Sequence, residues 1–119
     1  MKNTILIVDD SKLNRGTLAD ILKDKYKIIE AENGESGLES LEKYKDDIVL
    51  VILDIIMPVM DGFAFMEEFK KRESIRNIPI VVATTENDFE TEKRCLELGV
   101  WDFIPKIFQP EIIRFRVFN

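Results

Sequence analysis

The sequence contains no histidine and only one cysteine among its 119 residues. Without histidine, the commonest general base and metal ligand are missing, so Ser-His and Cys-His catalytic pairs are excluded. Cys95 cannot form a disulfide within the chain, which agrees with a reducing compartment, and we expect it to be a packed helix thiol. Any chemistry must therefore use carboxylates, hydroxyls and lysines.

The sequence also lacks long apolar runs, has fewer positive than negative charges and contains few glycines. No run approaches the roughly 20 residues of a membrane span, and the short apolar run before Asp9 is too brief for a signal peptide, so we expect a cytoplasmic protein without a membrane segment. Lys and Arg total 17 against 23 Asp and Glu, a net charge of -6, which disfavours direct nucleic-acid binding. The five glycines form no phosphate-cradling cluster, which disfavours a nucleotide or flavin site.

The residues that are present suit one globular domain. Hydrophobic residues make up 45% and charged residues 34%, enough for a core and a polar surface at this chain length. Short apolar runs, typical of strands buried on both faces, alternate with segments of helical spacing. The predicted strands are Ile5–Val8, Lys27–Ala31, Ile48–Leu53, Pro79–Ala83 and Asp102–Ile104.

Helices are predicted between the strands from capping residues and apolar spacing. The predicted helices run from Ser11 to about Lys23, from the Asn33-Gly34 turn to Tyr44, from Phe63 to about Arg72, from Phe89 to a stop at Gly99, and from Glu111 to Asn119. The last helix has no stop signal, so we expect residues 1–119 to be one domain and the N-terminal part of a longer protein. Five strands alternating with five helices predict an α/β fold with a doubly wound parallel sheet.

Polar residues follow four of the strands, where ligands bind in such folds. Asp9 and Asp10 follow the first strand, Asp54 the third, Thr84 the fourth and Lys106 the fifth. The aspartates repel one another, and their oxygen ligands favour Mg²⁺ as the neutralising cation. A cation, a lysine and a hydroxyl around one nucleophilic aspartate suit phosphoryl transfer.

A plainer interpretation of the aspartates stays open. Asp9 and Asp10 before Ser11 could merely cap a helix and favour its dipole. Asp54 fits that interpretation less well, because Met57 and Pro58 separate it from the next helix. The convergence of all these residues at one edge of the sheet therefore carries the functional hypothesis.

Four motifs resemble those of bacterial two-component response regulators. They are Val8-Asp9-Asp10-Ser11, Asp54 to Gly62 with its Met57-Pro58-Val59-Met60-Asp61 core, Val82-Ala83-Thr84-Thr85, and Asp102-Phe103-Ile104-Pro105-Lys106. Over essentially its whole length the chain resembles their receiver domain, the CheY-like family. The resemblance implies the flavodoxin-like (βα)5 sheet with strand order 2-1-3-4-5.

The resemblance also implies a role for each site residue. Asp54 would accept a phosphoryl group, and Lys106 would pair with that group. Asp10 and Asp54 would ligate Mg²⁺ directly, Asp9 would act through water, and the backbone carbonyl of Ile56 would complete the protein ligands. Thr84 and Phe103 would form the switch. The donor would be a sensor histidine kinase or phosphotransfer protein, which fits a chain without histidine. The domain would assist its own phosphorylation and dephosphorylation without being an enzyme in its own right.

The implied output is the surface of the fourth helix, fifth strand and fifth helix, which would act on a C-terminal output domain or a downstream protein. A homodimer through this surface stays open. The tail from Gln109 to Val117 resembles receivers fused to cyclic-di-nucleotide or other signalling enzymes slightly more than those fused to DNA-binding domains.

Two departures from the family pattern keep alternatives open. Ile107 replaces the proline that usually follows the lysine in a cis peptide, and Phe103 lacks a tyrosine hydroxyl. A docking module that is not phosphorylated is therefore one alternative. The other is a haloacid-dehalogenase-type phosphatase, but its first strand should carry Asp-x-Asp, which Asp9-Asp10-Ser11 does not.

Overall fold

Strands and helices alternate along the chain in the order that the apolar pattern predicts. The computed structural model describes residues 2–57, 59–84, 89–106 and 108–118. The strands are β1 (Thr4–Val8), β2 (Lys27–Ala31), β3 (Ile48–Leu53), β4 (Ile80–Thr84) and β5 (Asp102–Pro105). The helices are α1 (Lys12–Leu22), α2 (Gly34–Tyr44), α3 (Gly62–Lys70), α4 (Phe89–Glu97) and α5 (Pro110–Phe118). In these described ranges, no helix combines the length and apolar character that crossing a membrane requires.

The five strands form one parallel sheet in the order β2-β1-β3-β4-β5, which confirms the predicted flavodoxin-like arrangement. The strand order reverses at β1 and β3, where ligands bind in doubly wound folds. Val8 of β1 pairs with Leu53 of β3 at the carboxyl ends of these strands. The next residues along the chain, Asp9 and Asp54, are therefore brought together by strand register.

Helices cover both faces of the sheet, as the continuous apolar strands predict. On one face, Leu18 of α1 and Ile113 of α5 pack with strand residues such as Ile7 in one buried cluster. On the other face, α2, α3 and α4 contribute to a second cluster that contains Phe65 and Cys95. The prediction that Cys95 is a packed helix thiol is confirmed, and burial raises the pKa of this thiol.

The helix ends depart slightly from the predictions. Helix α3 ends at Lys70 rather than near Arg72, and α5 begins at Pro110, which supplies a suitable first helical residue. Asn119 lies outside the described residues. Leu13 in the first turn of α1 is 78% exposed, whereas Leu18 of the same helix is fully buried. The two residues are five positions apart, which at about 100° per residue places them about 140° apart around the helix, so Leu13 points away from the face that packs on the sheet.

Gly62 begins α3 where the backbone approaches the end of β3 closely. Its N–H donates to the carbonyl of Ile55 at 2.7 Å. A Cβ on Gly62 would lie 2.6 Å from Cα of Ile55 and 2.7 Å from the carbonyl oxygen of Asp54. Only glycine therefore allows α3 to start this close to Asp54.

Gly62→Ala should destabilise the protein, because a methyl group would push the start of α3 away from backbone atoms that cannot yield easily. We expect the free energy of unfolding to fall by about 2 kcal/mol in urea titrations. Gly16→Ala in α1 is the matched control, since its Cβ would meet nothing within 4 Å. That variant should gain about 0.5 to 1 kcal/mol from the better helix propensity of alanine. Equal stabilities of the two variants would contradict the steric argument.

Candidate functional site

Three carboxylates meet at the carboxyl edge of the sheet. Asp9 and Asp10 follow β1 and Asp54 follows β3, and oxygen atoms from all three lie within 4.8 Å of one another. Asp9 is 2% exposed and Asp54 is 4% exposed, whereas Asp10 faces solvent. The structure thus brings together the aspartates that the sequence singles out.

Lys106, directly after β5, lies between the two buried carboxylates. Its Nζ is 3.2 Å from Oδ2 of Asp9 and 3.1 Å from Oδ1 of Asp54. The ammonium group is itself mostly buried, with the side chain 15% exposed. One positive charge therefore offsets two negative charges, and the exposed Asp10 adds a third nearby.

Within the described residues, only one oxygen of the Asp9 carboxylate accepts a hydrogen bond. Its Oδ1 accepts a hydrogen bond from the backbone N–H of Ser11 at 2.9 Å. Its Oδ2 is buried and accepts no hydrogen bond within the described part of the chain, so the contact with Lys106 is an ion pair without hydrogen-bond geometry. A buried carboxylate oxygen with spare capacity is ready for a further partner.

Burial raises the pKa of Asp54 from its ordinary value of 3.8 to about 6. Lys106 opposes this rise in pKa through its charge and a hydrogen bond, and the backbone N–H of Ile56 opposes it through another hydrogen bond, while the negative charge of Asp9 adds to it. Asp54 is therefore ionised at neutral pH but takes up a proton more readily than an exposed aspartate.

These residues suit a hard divalent cation. Carboxylate oxygens are the ligands that Mg²⁺ prefers, and Mg²⁺ usually keeps several waters, for which the solvent-facing Asp10 leaves access. Within the described residues, the buried Oδ2 of Asp9 accepts no hydrogen bond, so it could coordinate a cation or accept a hydrogen bond from a water bound to that cation. The cluster of Asp9, Asp10 and Asp54 could thus hold such an ion.

The other predicted site residues belong to β4, β5 and the segment after β3. Thr84 is buried at the end of β4, and its carbonyl accepts a hydrogen bond from the backbone N–H of Lys106 at 3.3 Å. Phe103 of β5 is half-buried and packs against the core cluster shared by α2, α3 and α4. Ile56 is 58% exposed. The roles of these three residues stay predictions, including that of the Ile56 carbonyl.

Three positions in or next to the predicted motifs lie outside the described residues. Ile107 lies outside the described residues, so the geometry of the peptide that follows Lys106 stays a prediction. Pro58 and Thr85 also lie outside the described residues.

Arg15 contacts the site although its position in the sequence does not predict this. Its Nη1 donates to the backbone carbonyl of Asp9 at 2.7 Å, and its Nε pairs with Oε1 of Glu30 at 3.0 Å. Arg15 lies on α1 and Glu30 on β2, so only tertiary packing brings the pair to Asp9. Nothing in the local sequence pattern distinguishes this arginine from a solvated helix residue.

Comparisons with known proteins agree on one family. The family model described as response regulator receiver domain matches residues 5–118. A probable cyclic di-GMP phosphodiesterase from Vibrio cholerae is 36% identical over 114 residues, and the match covers 96% of this chain but only 25% of that protein's length. Chemotaxis protein CheY from Halobacterium salinarum is 34% identical over 110 residues, which cover 92% of this chain and 88% of that protein.

Solved structures show the same likeness. A crystal structure of the CheX-CheY-BeF3-Mg²⁺ complex from Borrelia burgdorferi superposes with a TM-score of 0.90 at 28% identity. The match covers 97% of this chain and 86% of that chain. The fold of this chain therefore matches that of CheY.

The raised pKa of Asp54 makes a prediction about stability and pH. The folded protein holds a proton on this group up to about pH 6, whereas the unfolded chain releases it near pH 3.8, so ionisation of Asp54 costs stability as the pH rises through this window. In metal-free buffer, Asp54→Asn should therefore be more stable than wild type at pH 7.5, on the order of 2 kcal/mol, and nearly equal to it below about pH 4. Urea unfolding across this pH range measures the difference.

Asp24→Asn is the matched control, because it makes the same substitution at an exposed position. A gap between Asp54→Asn and wild type that is constant with pH would contradict the assignment of the shift to Asp54.

Proposed function

The chain belongs to the response regulator receiver domain family, and on that basis we propose that it is a phosphorylation switch whose acceptor is Asp54. The observation that carries the proposal is the position of this buried carboxylate, with Lys106 at 3.1 Å and two further aspartates beside it. The donor would be the phosphohistidine of a sensor kinase or of a phosphotransfer protein.

In the proposed reaction, a carboxylate oxygen of Asp54 forms a P–O bond while the P–N bond to the donor histidine breaks. The imidazole leaves with the electron pair of that bond and takes up a proton. Asp54 can act as the nucleophile because, with a pKa of about 6, it is ionised at neutral pH. Lys106 would donate to a phosphoryl oxygen, since its ammonium already lies beside the attacking carboxylate.

A Mg²⁺ ion held by Asp9, Asp10, Asp54 and the carbonyl of Ile56 would neutralise phosphoryl oxygens when bound. Within the described residues, the carboxylate of Asp9 accepts a hydrogen bond on Oδ1 only, which supports this assignment because Oδ2 has capacity to hold the ion or its water.

Phosphorylation would add about -1.5 to -2 charges at Asp54. We assign Thr84 and Phe103 to the response: the hydroxyl of Thr84 would bond a phosphoryl oxygen, and the ring of Phe103 would repack. Phe103 is suited to repacking because it is half-buried at the sheet edge rather than enclosed in the core. The surface of α4, β5 and α5 would then change its affinity for an output domain or a downstream protein.

The wider context is part of the proposal. We place the domain in the cytoplasm, as the N-terminal part of a longer signalling protein that acts through its output rather than as an enzyme in this segment. The match covers only 25% of the cyclic di-GMP phosphodiesterase among its relatives, which supports such an arrangement. A docking module that is never phosphorylated is the alternative outcome of the test below.

The protein should become phosphorylated on Asp54 when it is incubated with Mg²⁺ and a small phosphodonor such as acetyl phosphate or phosphoramidate. Intact-mass spectrometry should show the addition of one phosphoryl group in wild type and none in Asp54→Asn. Asp24→Asn, at an exposed position, is the matched control and should be phosphorylated like wild type. Absence of phosphorylation in wild type, with and without Mg²⁺, would favour the docking module.

The fluorescence of Trp101 should respond little to phosphorylation of Asp54. Trp101 precedes β5 and lines a cavity of about 610 Å³ together with residues at the start of β1, β3 and β4, such as Ile5 and Val49. This cavity lies at the edge of the sheet opposite to the carboxylates, so Trp101 does not report directly on the site.

Lys106→Met should separate cation binding from phosphoryl transfer. The variant loses the group proposed to stabilise the phosphoryl oxygens, so its phosphorylation rate should fall by about 100-fold. Its affinity for Mg²⁺ should rise, because no ammonium then competes for Asp9 and Asp54. Lys12→Met, at the exposed start of α1, is the charge-matched control. An unchanged phosphorylation rate in Lys106→Met would remove Lys106 from the reaction.

A further inference from the structure

Arg15 makes a second layer of contacts behind the carboxylate cluster. Its side chain is only 13% exposed although it belongs to the first half of α1. The guanidinium uses two different nitrogens: Nη1 donates to the carbonyl of Asp9 at 2.7 Å, and Nε pairs with Glu30 at 3.0 Å. This fork links α1, β2 and the turn that carries Asp9.

The backbone of Asp9 is held from several directions. Its N–H donates to the carbonyl of Ala31 at 3.1 Å, which continues the pairing of β1 with β2. Its carbonyl accepts from Arg15, and its carboxylate accepts from the N–H of Ser11. Lys106 neutralises only part of the charge of the three carboxylates, so the remaining repulsion between Asp9 and Asp54 acts to move this turn away from Asp54. The hydrogen bonds on its backbone oppose that movement.

We propose that Arg15 is a positioning residue for the cation site: its bond to the carbonyl of Asp9 holds the turn so that Asp9 and Asp10 face Asp54, and Glu30 orients the guanidinium. This inference rests on the proposed function, because it assigns Arg15 to the divalent-cation site of that switch. Arg15 touches neither the carboxylates nor a reacting atom in this role, and it acts through the backbone of Asp9.

Removing Arg15 distinguishes its role as a positioning group from its role as a charge, because the two roles predict opposite changes in cation affinity. A positive charge near the carboxylates repels a cation, so removing it should strengthen cation binding if charge alone matters. If Arg15 instead positions the turn, removing it should weaken cation binding. Loss of an outer partner of a metal ligand typically weakens metal affinity by 10- to 100-fold.

The test is a titration of the whole chain with Mn²⁺, used as a probe for the magnesium site, followed through the electron paramagnetic resonance signal of the free ion. Arg15→Met keeps the aliphatic stem and removes the donors, and its Kd for Mn²⁺ should rise by about 10-fold. Arg15→Lys restores one donor and should recover most of the affinity. Lys23→Met is the matched control, since it removes a positive charge from the surface just after α1.

Each outcome has a distinct meaning. Unchanged or tighter Mn²⁺ binding in Arg15→Met, with normal binding in wild type, overturns the positioning role and leaves the proposed function intact. No Mn²⁺ binding in wild type overturns the proposed cation site and this inference with it. Urea unfolding in metal-free buffer checks that the variants are folded. If Arg15→Met does not fold, Arg15→Gln takes its place, with the same expected loss and the same contradicting result.

Discussion

Lys106 lies within 3.2 Å of Asp9 and 3.1 Å of Asp54, and this contact allows two carboxylates to be buried side by side. A buried carboxylate without a partner charge is costly, and two of them next to each other are costlier still. The lysine offsets this cost only in part, so burial still raises the pKa of Asp54 to about 6. Backbone contacts elsewhere in the fold keep Asp9, Asp54 and Lys106 together despite the negative charge that Lys106 does not neutralise.

Three parts of the fold hold the site in place. The register of β1 and β3 ends both strands level, so Asp9 and Asp54 have adjacent backbones. Gly62 lets α3 begin against the carbonyl of Asp54. On the far side, Arg15 holds the carbonyl of Asp9. Each support acts on backbone atoms, which leaves the carboxylate oxygens available for charged partners.

The sheet and most of the site were predictable from the sequence, because each depends on local pattern plus the rules of parallel sheets. Apolar runs define the strands, and the residues that follow them meet at one edge once the sheet is parallel. Helix ends were less predictable, because the last turn of a helix depends on local capping contacts: α3 ends at Lys70, although the apolar spacing favours an end near Arg72. Arg15 was missed because its partner Glu30 lies on a different element, and no spacing rule relates the two.

The backbone around Lys106 connects the charge state of the site to the edge of the sheet. Thr84 and Pro105 are paired at the ends of β4 and β5, and the N–H of the next residue, Lys106, donates to the carbonyl of Thr84. The ammonium at the other end of the same residue faces Asp54. A change of charge on Asp54 therefore acts on a side chain whose backbone is bonded to β4. Because β5 is an edge strand of the described sheet and pairs with β4 only, a shift of β5 would leave the pairing of β1, β2 and β3 unchanged.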